Sequence, residues 1–318
     1  METVRTTCPY CGVGCGVLAR PDGGPVAGDA AHPASGGRLC SKGSALAETI
    51  GLADRLLHPE VNGRRASWDA ALDAVAEGFR RALASHGPEG TALYVSGQLL
   101  TEDYYAANKL AKAALGTANI DSNSRLCMAS AVAAHTRAFG EDLVPGIYED
   151  LELADLVVLV GSNLAWCHPV LYQRLAAARA ARPEMKLIVL DPRRTASCEG
   201  ATLHLPLRPG SDVALFAALL VHLHDNGFAD AAFLASRTEG LEPTLQAARA
   251  VAAEAPALTG LAPSLIQAFC SLFARHPKVV TLWSQGVNQS SAGTDKANAL
   301  INCCLLYTSP SPRDVEES

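Results

Sequence analysis

The pattern of apolar and polar positions changes near residue 55. Before it, Cys and Gly are frequent while Val and Leu alternate only weakly, so residues 1–55 bury too little apolar surface to fold well without a metal. From Trp68 onward, apolar residues recur at helical spacing over 68–84, and Ser67 is a good N-cap for that helix. The pattern predicts a small metal-dependent module followed by an α/β protein.

A βαβ unit is the clearest element of the α/β part. Residues 155–160 and 186–190 are predicted strands, and 170–181 is the helix between them. The other predicted strands are 92–96, 204–207 and 278–283, the last leading into a polar loop over 284–295. The other predicted helices are 102–115, 126–139, 213–225 (capped by Ser211 or Asp212) and 241–274. Together they predict Rossmann-like α/β domains.

These elements also suggest domain boundaries. Residues 1–55 form the small module, 56–142 together with 276–303 form one α/β domain, and 143–275 form a Rossmann-like α/β domain. The helical pattern over 295–302 is expected to break at Cys303, because Ser, Thr and two prolines follow soon after. Residues 304–318 are therefore predicted to be a non-native or disordered tail, with the true protein continuing beyond this chain.

Composition and charge restrict the function classes. The chain has 318 residues and a net charge of −6, and it lacks a run of Lys and Arg, so nucleic-acid binding is not expected. It also lacks an uncharged apolar run of about 18 residues, so no membrane span is expected. The N-terminal residues show neither a signal segment nor a twin-arginine pair, which predicts a cytoplasmic protein. In that reducing compartment, ten cysteines favour metal binding or catalysis over disulfides.

Four cysteines near the N-terminus have the spacing of a metal site. Cys8, Cys11 and Cys15 lie on a tight Gly-rich stretch, and Cys40 follows 24 residues after the last of them. Four thiolates are what a [4Fe–4S] cluster requires. Structural zinc is the alternative, but zinc sites usually pair two similar knuckles and Cys40 has no neighbouring cysteine. The spacing therefore favours the cluster.

Lys42 stands two residues after Cys40. A cation beside an anionic cluster could tune its potential or connect it to a second redox centre. Taken without its neighbours, the same residue is an ordinary solvated lysine.

Three segments resemble a known family. Residues 7–16 (TCPYCGVGCG) and 39–43 (LCSKG) resemble the start of the molybdopterin oxidoreductases, and 123–132 (NSRLCMASAV) resembles the segment that carries their molybdenum ligand, in its nitrate reductase version. The resemblance covers about residues 1–303. It implies that Cys127 supplies a thiolate to molybdenum, which a soft ligand suits, and that Lys42 lies between cluster and pterin.

Met128 bears on the substrate that this resemblance implies. Formate dehydrogenases of the family have a histidine after the ligand position, whereas Met128 cannot accept a proton. Nitrate is therefore the expected substrate, with Met128 forming an apolar wall of the site.

Polar loops after the predicted strands suggest a nucleotide site, because ligands of α/β sheets bind beyond the carboxyl ends of the strands. The sequence has no GxGxxG motif there, so NAD is poorly supported, and ordinary loops are the alternative. The resemblance implies that these loops hold molybdopterin guanine dinucleotide, with Asp212 accepting from the N1–H and 2-amino groups of guanine. The implied cofactor-binding residues are Gly161, Ser162, Asn163, His168, Asp191, Arg193, Thr195, Gly210, Asp212, Ser284, Gln285, Gly286 and Asn288.

The resemblance implies an activity and its partners. The expected reaction is reduction of nitrate to nitrite by oxygen-atom transfer at a molybdenum bis(molybdopterin guanine dinucleotide) centre. Electrons are expected to pass through the [4Fe–4S] cluster from a ferredoxin, a flavodoxin or an NADH-linked flavoprotein subunit. A formate dehydrogenase-like enzyme and a non-catalytic iron–sulfur electron-transfer subunit are the alternatives.

Overall fold

The computed structural model of this chain describes residues 3–307. The chain divides between Arg125 and Leu126 into two compact units. Three small sheets belong to the first unit, and a four-stranded sheet belongs to the second.

The first unit begins with a small antiparallel sheet in the order β1-β2-β3. Its strands are β1 Val4–Thr7, β2 Gly16–Ala19 and β3 Ala27–Gly28. The turn between β1 and β2 carries three of the four N-terminal cysteines. Within residues 3–55, the buried apolar side chains are Cys8, Val13, Cys15 and Val17. Two of the four are cysteines, so this module has very little ordinary hydrophobic core.

The rest of the first unit combines short strands with two longer helices. Ser67 caps the second helix through its Oγ, which accepts from the Ala70 amide at 3.2 Å, as its sequence predicts. A three-residue strand at 120–122, which the sequence analysis missed, pairs in parallel with the predicted strand near 92–96. The elements are α1 Ser41–Ser44, a 3₁₀ turn Leu46–Ile50, β4 Glu60–Val61, β5 Arg64–Arg65, α2 Trp68–His86, a 3₁₀ turn Pro88–Gly90, β6 Leu93–Val95, α3 Thr101–Asn108, its π-helical continuation Lys109–Leu115, and β7 Ile120–Ser122.

A parallel four-stranded sheet forms the centre of the second unit. Its strands are β8 Leu156–Val160, β9 Lys186–Leu190, β10 Leu203–Leu205 and β11 Val279–Trp283, in the order β10-β9-β8-β11. All five residues of β8 are buried, as expected of a strand covered on both faces. The four predicted strands of this region and the Rossmann-like α/β class are therefore confirmed. The chain order reverses between β8 and β11, which makes that crevice the topological switch point.

The position of β11 corrects one predicted grouping. Residues 276–303 were expected to join 56–142, but β11 pairs along its whole length with β8, from Val279 beside Leu156 to Trp283 beside Val160. A mostly apolar strand can complete either of two sheets, and its local sequence does not indicate which one.

Helices cover the sheet and supply most of the core. Phe269 is fully buried and makes edge-to-face contacts with Phe216 at 6.0 Å and Phe273 at 6.2 Å between ring centroids. The helices are α4 Ser124–Cys127, α5 Ala129–Phe139, α6 Asp150–Leu153, α7 Leu164–Cys167, α8 Pro169–Ala181, α9 Asp212–Asp225, α10 Ala231–Arg237, α11 Leu241–Ala252, α12 Ala255–Thr259, α13 Pro263–Arg275, α14 Gln285–Asn288 and α15 Gly293–Tyr307, with a 3₁₀ turn Ala196–Cys198.

Several predicted helices are divided or begin differently. The predicted helix over 126–139 is interrupted at Met128, and the one over 241–274 is three helices, because Pro256 and Pro263 start new helices and Gly260 adopts φ +72°. Ser211 precedes α9 but does not cap it with its side chain; its Oγ donates to the Arg208 carbonyl at 2.6 Å instead. The predicted loop over 284–295 contains α14.

The last helix is longer than its sequence predicts. α15 continues to Tyr307, so the expected break at Cys303 is wrong. Cys303 and Leu306 are both buried at 1% exposure, and Tyr307 Oη donates to the His276 carbonyl at 2.5 Å. Burial of apolar side chains thus extends the helix past the point where its regular pattern weakens. Residues 308–318 of the predicted tail lie outside the described residues.

Among residues 3–307, every helix is too short or too polar to cross a lipid bilayer.

Candidate functional site

The four N-terminal cysteines are brought together by the β1–β2 turn and by α1. The Cys8 amide donates to the Cys15 carbonyl at 2.8 Å, which closes the turn, and Gly14 adopts φ +66° within it. A Cβ built on Gly43 would lie 3.8 Å from Cys8 Sγ, so the segment that follows Cys40 packs against the first cysteine.

The four thiols are close enough to interact electrostatically. Burial, together with charge repulsion from Cys11, Cys8 and Cys40, raises the pKa of Cys15 to about 11. A buried thiolate beside three others needs compensating positive charge, which iron ions provide. The chemistry of this donor set therefore fits a cluster.

Across residues 3–307, no three His, Cys, Asp or Glu side chains are placed to hold a single metal ion.

A buried polar atom next to Cys15 also lacks a protein partner. The His32 side chain packs onto Gly16, where a Cβ would lie 2.3 Å from the His32 Cβ, and the ring Nδ1 has no hydrogen-bond partner in the described part of the chain. Leaving a buried nitrogen unpaired costs free energy. An acceptor absent from the protein itself, such as an inorganic sulfur, fits that position.

Lys42 lies on α1 and its side chain is exposed. This exposure agrees with a solvated lysine, and its connection to a second redox centre stays a prediction.

Cys127 ends α4 and is partly exposed, with Met128 forming the break before α5. Two side chains of residues 284–290, which we call the late loop, contact this pair of sulfurs. Gln289 Nε2 donates to Cys127 Sγ at 3.3 Å, and Asn288 Nδ2 donates to Met128 Sδ at 3.6 Å. The late loop, residues 284–290, was predicted to bind cofactor, and it lies directly against the predicted metal ligand.

Asn288 is itself held in place on three sides. It is 5% exposed, its Oδ1 accepts from Trp283 Nε1 at 3.1 Å, and its carbonyl accepts from Ser130 Oγ at 2.8 Å. Sequence reasoning missed the roles of Gln289 and Ser130, although both stand inside the segments that it singled out. Contacts between residues about 160 positions apart leave no periodic signal in the sequence.

Two glycines meet at the topological switch point. The Gly286 amide donates to the Gly161 carbonyl at 3.0 Å, and Gly161 adopts φ +54°. A Cβ built on Gly286 would lie 2.6 Å from the Gly161 Cα, and one built on Gly161 would lie 2.8 Å from the Gly286 Cα. Only glycine at both positions permits the loops after β8 and β11 to approach this closely.

The loops after β8 and β9 satisfy several of their own polar groups. Asn163 Oδ1 accepts from Ser197 Oγ at 2.9 Å, and Asp191 Oδ1 accepts from the Arg193 amide at 2.9 Å. These bonds shape the loops and leave the Asn163 amide group and the second Asp191 oxygen for other partners. The remaining predicted residues here are buried Ser162 and Thr195, exposed Arg193, His168 at the start of α8, buried Ser284, exposed Gln285, and Gly210 at φ +89°.

Asp212 forms a buried ion pair that the sequence did not reveal. Its Oδ2 lies 2.8 Å from Lys296 Nζ, and the two side chains are 10% and 4% exposed. Lys296 Nζ also donates to the Gly286 carbonyl at 3.4 Å. The predicted base-reading carboxylate is therefore joined to the late loop through a lysine on α15.

Comparisons with known proteins agree with these features. The family model described as "Molybdopterin oxidoreductase Fe4S4 domain" matches residues 1–51, and the model described as "Molybdopterin oxidoreductase" matches residues 55–314. The chain is 52% identical to a nitrate reductase of Klebsiella oxytoca over 98% of its own length and 36% of that protein. It is 35% identical to a periplasmic nitrate reductase of Desulfovibrio desulfuricans, over 95% of its length and 42% of that protein.

A solved structure has the same fold. Acetylene hydratase from Pelobacter acetylenicus superposes with a TM-score of 0.80 at 24% identity, over 96% of this chain and 43% of that one. The chain thus spans about a third to a half of the length of these relatives.

Proposed function

Since this chain belongs to the molybdopterin oxidoreductase family, we propose that it is part of the catalytic subunit of a cytoplasmic, assimilatory nitrate reductase. The observation that carries this proposal is the pair Cys127–Met128, whose two sulfurs are held by Gln289 and Asn288. Similarity to nitrate reductases over nearly the whole chain supports it. One of those relatives is periplasmic by name, and another is assimilatory by name.

The residues present fit a molybdenum–pterin group. Cys127 offers a soft, partly exposed sulfur whose direction is set by the Gln289 amide, and a metal already bound by dithiolene sulfurs accepts such a ligand. When bound, the group supplies the two-electron chemistry that converts nitrate to nitrite. The protein supplies position and surroundings.

The side chain of Met128 restricts the proton chemistry that the protein can contribute beside that metal. Its thioether cannot take or give a proton, and its bond from Asn288 fixes the sulfur next to Cys127. A reaction that needs a base at this position, such as proton removal from formate, is disfavoured. Binding of a small anion without proton transfer to residue 128 is favoured, and nitrate is such an anion.

The edge of the sheet provides the binding surface for the nucleotide part of the cofactor, which we propose to be the guanine dinucleotide form. Gly161 and Gly286 bring two loops together at the switch point, where nucleotides bind in α/β folds. Asn163 presents an amide donor, and Asp191 and Asp212 each present a carboxylate oxygen, along the same edge. The other predicted residues of these loops contribute backbone amides and side chains to the same surface.

The cluster module serves as the electron entrance. Cys8, Cys11, Cys15 and Cys40 hold a [4Fe–4S] cluster, and Lys42 beside Cys40 connects the cluster to the pterin. A ferredoxin, a flavodoxin or an NADH-linked flavoprotein subunit supplies the electrons one at a time.

Replacement of Cys127 by Ala tests the proposal. In the holoprotein, with a reduced viologen as donor, Cys127→Ala should abolish nitrite formation and leave the visible absorption of the iron–sulfur cluster unchanged. Cys167→Ala is the control, because Cys167 is exposed on α7 and bonds to neither Gln289 nor Asn288. It should retain both nitrite formation and the visible absorption of the cluster. Nitrite formation at the original rate by Cys127→Ala would refute the assignment.

A further inference from the structure

Lys296 stands where helix electrostatics do not favour it. It lies in the first turn of α15, beside the positive end of the helix dipole, and its side chain is only 4% exposed. Burial of an ammonium group is costly unless the group is paired. Its position therefore requires a specific partner, and Asp212 Oδ2 at 2.8 Å is that partner.

Lys296 also connects three segments of the proposed nucleotide site. Asp212 is the first residue of α9, after β10; Gly286 follows β11 and accepts from Lys296 Nζ at 3.4 Å; and Gly286 in turn bonds to Gly161 after β8. All three strands end at the same edge of a parallel sheet. A single buried side chain thus fixes the distance between the carboxylate of Asp212 and the switch point.

We propose that Lys296 is a positioning residue that holds Asp212 as an acceptor-only carboxylate and so makes the nucleotide site select guanine. The inference rests on the proposed function, in which Asp212 faces the base. In the described residues, no other group bonds to this carboxylate, so Lys296 occupies Oδ2 and Oδ1 stays available. Each oxygen of an ionised carboxylate has two lone pairs, so Oδ1 can accept from both the N1–H and the 2-amino group of guanine.

The choice of lysine matters for this role. An ammonium group is a compact donor that satisfies one oxygen, whereas a guanidinium group forms two parallel bonds and would occupy both oxygens. Lys296→Arg should therefore keep the ion pair and lose the preference for guanine. Lys296→Met leaves a buried carboxylate without a partner, so Asp212 should no longer be held toward the base.

The test compares binding of GDP and IDP to the full chain by equilibrium dialysis. IDP lacks only the 2-amino group, so the wild-type chain should bind GDP more tightly by about fivefold, the value of one hydrogen bond. Lys296→Met and Lys296→Arg should both bring that ratio close to one. A GDP preference in Lys296→Met equal to that of the wild type would overturn the inference.

Two further variants separate base selection from stability. The double variant Asp212→Asn with Lys296→Met removes both charges, so its melting temperature should exceed that of Lys296→Met alone while the GDP preference stays lost. Arg174→Met is the matched control, because Arg174 is another buried cation, 6% exposed and paired with Glu152 at 2.6 Å. It should lower the melting temperature and leave the GDP preference intact.

These outcomes are independent of the test of the proposed function. If the wild type shows no GDP preference, Asp212 does not read the base and this inference fails, while nitrate reduction that depends on Cys127 would still stand. If Cys127→Ala reduces nitrate, the proposed function fails whatever the GDP ratio is.

Discussion

Residues 3–55 and the four-stranded sheet of the second unit are stabilised in opposite ways. The first region buries four apolar side chains, and two of those are the cysteines Cys8 and Cys15. The second buries every residue of β8 and nearly all of β9, together with the phenylalanines of α9 and α13. Conformational entropy opposes folding in both regions, but only the second has the apolar surface to offset it.

The difference explains what fixes the positions of the binding groups at each site. Around the cysteines, the metal is part of the core, so the ligand geometry and the fold form together. At the sheet edge, Gly161, Gly286, Lys296 and Asp212 are held by packing and hydrogen bonds of the protein alone. The nucleotide surface should therefore exist before the cofactor arrives, whereas the cluster site should not.

Removal of iron should have the largest effect and should be confined to the first region. After chelation under reducing conditions, the amides of β1 and β2 should lose their protection from hydrogen exchange, because the remaining apolar core is too small. The amides of β8 and β9 should keep theirs. Hydrogen exchange measured by mass spectrometry on the loaded and chelated protein checks this. Equal protection of β1 and β2 in both samples would show that the module folds without its cluster.

Phe269→Ala should be the next largest change and should act on the second unit. Phe269 is fully buried between Phe216 and Phe273, so its truncation should lower the free energy of unfolding by about 3–5 kcal/mol. Phe228→Ala is the control, since Phe228 is 38% exposed and should cost less than about 1 kcal/mol. Urea unfolding followed by circular dichroism measures both. Similar losses for the two variants would mean that the core is not as closely packed as its contacts indicate.

Gly286→Ala should have a moderate effect at the switch point. Its Cβ would lie 2.6 Å from the Gly161 Cα, and separation of the two loops should cost about 1–3 kcal/mol of unfolding free energy. Gly78→Ala is the comparison, because nothing lies within 4 Å of a Cβ there and helix α2 should gain about 0.5–1 kcal/mol. A stable Gly286→Ala variant would contradict a preformed sheet edge.

The smallest effect should come from a surface ion pair of the second unit. Hydrogen bonds from Arg249 and His224 lower the pKa of Asp225 from 3.8 to about 2. A depressed carboxyl pKa gives stability that is present above about pH 4 and is lost as the pH falls toward 2. Arg249→Met should therefore melt slightly lower than the wild type at pH 6, with the difference shrinking as the pH falls from 4 through 2. A difference of the same size at pH 6 and at pH 2 would assign the effect to packing of the Arg249 side chain.

The sequence could predict elements better than the contacts between them. The strands over 155–160 and 186–190 and the loops after them follow from local apolar runs and polar ends, and the structure contains both. The partner of β11, the bond from Gln289 to Cys127 and the pair of Lys296 with Asp212 join residues that are far apart in the chain. The residues next to Lys296 in the chain do not indicate that its side chain is buried against Asp212. By contrast, Pro256 and Pro263 in the sequence could have predicted that the helix over 241–274 is divided.

X-ray absorption at the molybdenum edge tests the central claim most directly. The protein should be purified with its metals, as the wild type and as Cys127→Ala, with Cys167→Ala as the control. The account predicts that Cys127→Ala loses one sulfur from the molybdenum coordination shell, while the control matches the wild type. An unchanged sulfur count in Cys127→Ala would contradict the assignment of Cys127 as the molybdenum ligand.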